Sequence, residues 1–290
     1  MNLSGLLPFV EQVPAYRQLV DAIEQDRLDA LLDGYGRDGP AAGLGAVMPA
    51  RPYLAAALYR QLRRPIVLLT TRAERVGQWA EQMRVWTGAP SVYTFPEPDA
   101  LPYERVPWSR ETVSDRLTAL ATLVRRESEE PPFIVASVRA LMHKTLPVRE
   151  FRLGLRQYER GQEIDLQRTL DTWVAHGYRP DTVVEEPGTF SRRGGLLDVF
   201  PPNRLDPVRI ELFGDEIDSL RVFDPTTQRT VDQIDSFVLA PASEALPRLA
   251  SAASRQVAGL DLSLCHPPAR MEYRQDLVHL EQGTYFRGIA

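Results

Sequence analysis

Several groups of residues in this chain have types and spacings that could do chemistry. Residues 39–51 read GPAAGLGAVMPAR, and Gly34, Gly36, Gly39, Gly43 and Gly45 make the stretch a glycine-rich loop ahead of a helix. A P-loop cradles phosphates from such a place, but it also needs a lysine for the β/γ-phosphates and a Ser/Thr hydroxyl for Mg²⁺. Pro49, Ala50 and Arg51 stand where a Gly-Lys-Thr ending would be sought, and no lysine precedes Lys144. The loop reads as a degenerate nucleotide loop or merely a turn. His143, His176, His266 and His279 do not pair at ligand spacing with each other or with Cys265. Asp198, Glu211, Asp215, Glu216 and Asp218 form an acidic cluster. Carboxylates could hold Mg²⁺ in a nuclease, but solvated strand edges and turns are the plainer reading. Neither a G-x-S-x-G elbow nor an H-E-x-x-H pair occurs. No catalytic residue, cofactor or metal is expected.

The run Gly188-Thr189-Phe190-Ser191-Arg192-Arg193-Gly194-Gly195-Leu196-Leu197-Asp198-Val199-Phe200-Pro201-Pro202 offers different chemistry. Arg192 and Arg193 lie between an aromatic and two glycines at the entry to a strand. The glycines permit a bulge or the close approach of another backbone. Arginine beside an aromatic is the residue mix of interface hot spots. The chemistry leaves two readings open: a docking pair, or an internal ion pair between Arg193 and a carboxylate of the same domain.

These residues need elements to position them. Residues 1–36 read as one or two helices. A helix after Pro52 carries Leu54, Leu58 and Leu62 at i, i+4 spacing. Ile66-Val67-Leu68-Leu69 is a continuous apolar run, the pattern of a strand buried on both faces. Thr71 and Glu74 have capping-box spacing before a helix with Val76, Trp79, Met83 and Trp86 on one face and Gly88 at its end. Residues 92–95 and 133–136 are further strands, with a helix through Val113, Leu117, Leu120 and Val124 between them. The alternation predicts a parallel α/β sheet. After Pro147 one amphipathic helix remains (Leu166, Leu170, Trp173, Val174), closed by Gly177. Strands are then expected at 182–184, 195–200, 208–213 and 217–223, with a hairpin turn at Phe213-Gly214-Asp215-Glu216-Ile217. The expected class is α/β: a parallel-sheet, P-loop-like domain with a degenerate nucleotide loop, carrying a small inserted α+β antiparallel domain. Its boundaries are expected at 1–147 for the first part of the α/β domain, 148–234 for the insert, and 235–290 for a return to the α/β domain.

Bulk composition limits the function classes. The 290 residues carry 34 basic and 39 acidic side chains, a net charge of −5, which lacks the basic footprint of a strong stand-alone DNA binder. All the basic residues but Lys144 are arginine. Arginine suits bidentate docking to carboxylates, and a GC-rich genome or a warm habitat would also produce the surplus. No run approaches the ~20 apolar residues of a membrane span, and a basic n-region followed by an apolar run is missing from the start. The single cysteine, Cys265, points to a reducing cytoplasm and reads as a small core residue.

The central run, together with residues 207–230 (PVRIELFGDEIDSLRVFDPTTQRT), closely resembles a signature shared by UvrB and the transcription-repair coupling factors. Tyr93-Thr94-Phe95-Pro96 through Leu101-Pro102-Tyr103-Glu104 and Pro241-Ala242-Ser243-Glu244 resemble further stretches of the same proteins. So does Gly283-Thr284-Tyr285-Phe286-x-Gly288-Ile289, a motif that in the family continues past residue 290, which favours a fragment. The similarity spans about residues 40–290. UvrB carries an intact P-loop and a tyrosine-rich hairpin that threads damaged DNA; this chain has neither, since residues 101–116 are too short and too poor in tyrosine. The resemblance therefore points to the UvrB-like N-terminal region of the coupling factor. It implies that the inserted domain binds UvrA. It also implies that the parent protein meets RNA polymerase and double-stranded DNA, and drives translocation with ATP, through regions absent here. The alternative is a UvrB-type nucleotide-dependent enzyme that binds damaged DNA. Arg179 of Gly177-Tyr178-Arg179 matches an arginine in a Tyr-Glu-Arg stretch of UvrB. Thr189, Phe190, Arg193 and Gly194 match its Thr-Phe-Arg-Val-Arg-Gly, with Ser191 in place of the first arginine. The resemblance thus implies Arg179 and Arg193 as UvrA contacts and Phe190 as their packing support. Arg192 supplies a charge one position late, on the other face of a strand.

Overall fold

The structure, a computed structural model, describes residues 3–17, 47–88, 91–100, 104, 106–125, 130–249 and 253–284. Residues 18–46, which hold the glycine-rich loop and much of the expected N-terminal helix, lie outside that set. So do residues 101–103 and 285–290. The chain divides into two compact units, Met1–Phe95 with Glu127–Arg139, and Pro96–Arg126 with Ala140–Ala290.

The first unit is built on three strands, β1 (Ile66–Thr70), β2 (Val92–Phe95) and β3 (Phe133–Ser137), all parallel in the order β1-β3-β2. Parallel pairing is as the alternating pattern predicts. The central strand β3 is buried along its whole length. β1 is not buried on both faces, contrary to expectation: Val67 and Leu69 are 47% and 49% exposed. It is an edge strand, and the helices Arg51–Leu62 and Glu74–Thr87 cover only the face carrying Ile66 and Leu68. Helix Arg51–Leu62 buries Ala56, Ala57 and Tyr59 most deeply, with Leu54 and Leu58 of the predicted stripe partly buried against the same core. Glu74–Thr87 follows the predicted stripe, with Val76, Ala80 and Met83 buried and Gly88 ending it in the left-handed region at φ 66. The capping box is absent. The helix starts after Ala73, and it is Thr70, not Thr71, whose Oγ1 accepts from the Arg72 N–H at 3.0 Å.

The second unit contains a six-stranded sheet in the order β10-β9-β8-β7-β6-β5. The strands are β5 (Arg179–Pro180), β6 (Thr189–Arg193), β7 (Leu196–Val199), β8 (Val208–Phe213), β9 (Glu216–Phe223) and β10 (Thr230–Ile234). All neighbours are antiparallel except the β5–β6 edge pair. A separate antiparallel pair joins β4 (Arg156–Glu159) to β11 (Ser236–Leu239). Helix Leu166–Ala175 is capped by Asp165, whose carboxylate accepts from the Arg168 N–H at 3.0 Å, and is followed by Gly177 at φ 93. It drives the fully buried Trp173 onto the sheet among Phe190, Leu197, Val199, Val208 and Ile210. The Trp173 indole N–H donates to Tyr158 Oη at 2.8 Å, satisfying the one polar atom it buries. Truncating such a side chain to alanine costs about 3–5 kcal/mol.

The expected strand at 182–184 does not form. The carbonyls of Thr182 and Val184 accept from the side chains of Ser191 and Gln228 instead of a ladder partner, and Val184 packs against Phe200 and Phe223. The helix Arg110–Val124, capped by Ser109, buries Leu117 and Ala121 against Phe151 and Ala240. It also buries Arg116 completely. That guanidinium makes a two-pronged pair with Glu244, at 2.5 and 2.9 Å, and a third bond to the Pro96 carbonyl at 2.8 Å. Cys265 is half-buried and free, not the core residue expected.

Candidate functional site

β6 and β7 form a hairpin through Gly194-Gly195, and Gly194 takes φ 63, a conformation that favours glycine. Residues on β6 alternate between two faces. Phe190 points to the helix side and is 5% exposed, with its ring 5.5 Å from that of Trp173 in an edge arrangement. It therefore supports the strand from beneath. Ser191 and Arg193 take the opposite face. Cross-strand register sets Ser191 beside Asp198, Asp198 beside Arg209, and Arg209 beside Arg221.

This face carries a ladder of charge. Asp198 is 1% exposed and is gripped by Arg209 through Nε at 2.7 Å and a terminal nitrogen at 2.9 Å. Hydrogen bonding to Asp198 holds the Arg209 guanidinium even more firmly protonated than usual. Arg193 adds a third bond to the same carboxylate at 2.6 Å, yet its side chain stays 53% exposed. Glu211 accepts from Ser219 at 3.0 Å and from Arg221 at 2.8 Å. Two of the five acidic-cluster residues are thus paired with arginine. Among the described residues no group of three or more His, Cys, Asp or Glu is placed to hold a metal ion.

Arg179 lies on the two-residue edge strand β5, opposite Thr189 in register, and so shares the face of Ser191 and Arg193. It is exposed. Arg193 lies four residue steps beyond Thr189, roughly 13 Å along the strand at about 3.3 Å per residue. The structure thus sets Arg179 and Arg193 on one face of one sheet end to end. Arg192 is exposed and shares the face of Phe190, as alternation predicts. Ser191 is buried, its hydroxyl committed to the Thr182 carbonyl at 3.2 Å, so this position offers nothing to a partner. Sequence reasoning missed the Asp198–Arg209 clamp. Its only signal was a carboxylate placed between Leu197 and Val199, and the partner could not be found without the strand register.

Residues 157–244 match the family described as the UvrB interaction domain. The chain is 39% identical to the transcription-repair-coupling factor of Myxococcus xanthus over 216 residues, which is 70% of this chain and 18% of that protein. It is 27% identical to the Bacillus subtilis protein of the same name, over 85% of this chain and 20% of that one. It is 30% identical to the Haemophilus influenzae counterpart, over 69% of this chain and 17% of the relative. The chain spans about a fifth of the length of these curated relatives.

Proposed function

We propose, from the premise that this chain is a relative of the transcription-repair coupling factors and carries a UvrB interaction domain, that it is a UvrA-recruiting module acting in nucleotide excision repair. Arg179 and Arg193 make the charge-assisted contacts, Arg192 is auxiliary, and Phe190 holds the strand in place. One observation supports this reading most. Arg193 stands half-exposed over a carboxylate that Arg209 already neutralises, so it can turn to a carboxylate of UvrA without orphaning Asp198. The parent protein would be an ATP-dependent translocase, meeting stalled RNA polymerase and double-stranded DNA in the cytoplasm. We assign this chain itself no nucleotide hydrolysis, because Pro49 and Ala50 sit in the turn before helix Arg51–Leu62, where a lysine and hydroxyl would be needed. Immobilised chain challenged with purified UvrA, with and without ATP, tests the reading. Retention of UvrA, and no ATP hydrolysis by the chain alone, is expected. Failure to retain UvrA, or lesion-dependent DNA binding by the chain alone, contradicts it.

A further inference from the structure

The short helix Val148–Gly154 follows Pro147 and leads into β4. Phe151 packs its inner side against Leu117, Ala121 and Ala240. Gly154 approaches its neighbours so closely that a Cβ there would stand 2.6 Å from the His176 ring and 2.5 Å from Pro241. The helix is thus held from behind, and helical periodicity puts Val148, Arg149, Arg152 and Leu153 on the opposite side. Val148 and Leu153 are 60% and 55% exposed, and both arginines are exposed. The one acid of the helix, Glu150, buries its Oε2 instead of presenting it on that side. Among the described residues neither Arg149 nor Arg152 forms an ion pair, and nor does exposed Lys144, the chain's one lysine. Residues 140–156 hold four basic side chains and one acidic one, a net charge of +3 within a chain of net −5.

We propose that this outer face docks an acidic, leucine-bearing helix of a partner protein. The leucines of that helix cover Val148 and Leu153, and its carboxylates meet Arg149 and Arg152. The mixture of side chains decides the class of occupant. A nucleic-acid backbone supplies phosphates for the arginines but leaves the two aliphatics in water. Arginine beside exposed apolar side chains is instead the composition of protein interfaces. Arginines three residues apart on a helix stand ~5–6 Å apart, and carboxylates at the same spacing on a facing helix can pair with both. A second copy meeting this face across a two-fold axis would set arginine against arginine, with no carboxylate on either side. That argues for a different protein. A ridge already held from behind loses little freedom on binding.

The probe is a labelled synthetic helix of glutamate and leucine, its leucines at i, i+3, i+4 and i+7 spacing, titrated with the full chain. A version with lysine in place of glutamate, a short undamaged duplex and phosphatidylserine vesicles are the comparison ligands. The variants are Arg149→Glu, Arg152→Glu, Leu153→Ser and a control, Arg255→Glu, which reverses an exposed arginine on helix Ala253–Ala258. Melting curves accompany each. The wild type is expected to bind the acidic helix and not its lysine version, and added salt to weaken that binding with no substitution at all. Each reversal at Arg149 or Arg152 should weaken it roughly tenfold or more, Leu153→Ser several-fold, and the control not at all. Arg149→Gln and Arg152→Gln, which remove the charge without reversing it, carry the same expectation at smaller amplitude. No binding of the acidic helix by the folded wild type overturns the proposal. So does binding that the arginine variants or Leu153→Ser leave untouched. Tighter binding of the duplex or the vesicles than of the acidic helix, lost in the same arginine variants, makes the occupant a nucleic acid or a lipid surface and also overturns it.

Discussion

Asp198 is one carboxylate met by two arginines of unequal exposure. It is buried among apolar strands, where an unpaired charge would be costly, and Arg209 meets it with two bonds. Arg193 makes a single further bond from a half-exposed position. The two arginines should therefore differ sharply in what their loss does. Arg209→Ala leaves the buried Asp198 carboxylate with only the single bond from half-exposed Arg193 and should lower stability by about 3 kcal/mol. Arg193→Ala should cost about 0–1 kcal/mol, as exposed pairs do. Urea denaturation of the two variants checks this, and equal losses would show that Arg193 is held by folding rather than available to a partner. The Arg116–Glu244 pair works differently. Both groups are buried and every bond is internal, so it ties helix Arg110–Val124 to the strand-end segment at 240–244 and has nothing to offer a ligand.

At the scale of elements, helix Leu166–Ala175 and its junction carry the second prediction of stability. His176 follows the helix; its Nδ1 lies 2.8 Å from the Thr172 carbonyl oxygen, and its Nε2 is buried with no hydrogen-bond partner. The ring packs where a Cβ on Gly154 would meet it at 2.6 Å and Pro241 at 2.5 Å. Burial holds the imidazole below its usual range, nearby Arg156 adds to the effect, and the Thr172 carbonyl opposes it. The folded state thus favours neutral His176. Its contribution is complete above the unfolded value of about 6.5 and is lost as pH falls through the depressed folded value. Melting midpoints should drop below about pH 6.5, and His176→Gln should flatten that drop; an unchanged slope in the variant would contradict it. Much at this scale was legible in the sequence. Amphipathic helices, glycine stops, the Phe213–Glu216 hairpin and the parallel pairing all follow from local patterns. The missed elements were short or depended on distant partners. β5 has two residues, and β4 and β11 exist only by pairing across 76 or more intervening residues. Residues 182–184 have β-branched side chains, yet Ser191 and Gln228 take their carbonyls. The site was half legible. Arg179 and Arg193 came from motif resemblance, but register alone reveals that they share a face and that Asp198 sits between two arginines.

At the scale of the whole molecule, two units of different design share one chain. One is a three-stranded parallel sheet backed by helices, and the other centres on a mainly antiparallel sheet with an arginine-bearing face. No helix among the described residues is long and apolar enough to cross a membrane. The relatives are about four times as long as this chain. The central claim is that Arg179 and Arg193 together form the UvrA contact. Calorimetric titration of UvrA into the wild-type chain and into the Arg179→Ala/Arg193→Ala double variant tests it most directly, with melting curves to establish that the variant is folded. A folded variant whose affinity falls about a hundredfold or more, in keeping with the loss of two charge-assisted contacts, is the predicted result; a folded variant that binds UvrA as tightly as the wild type would contradict it.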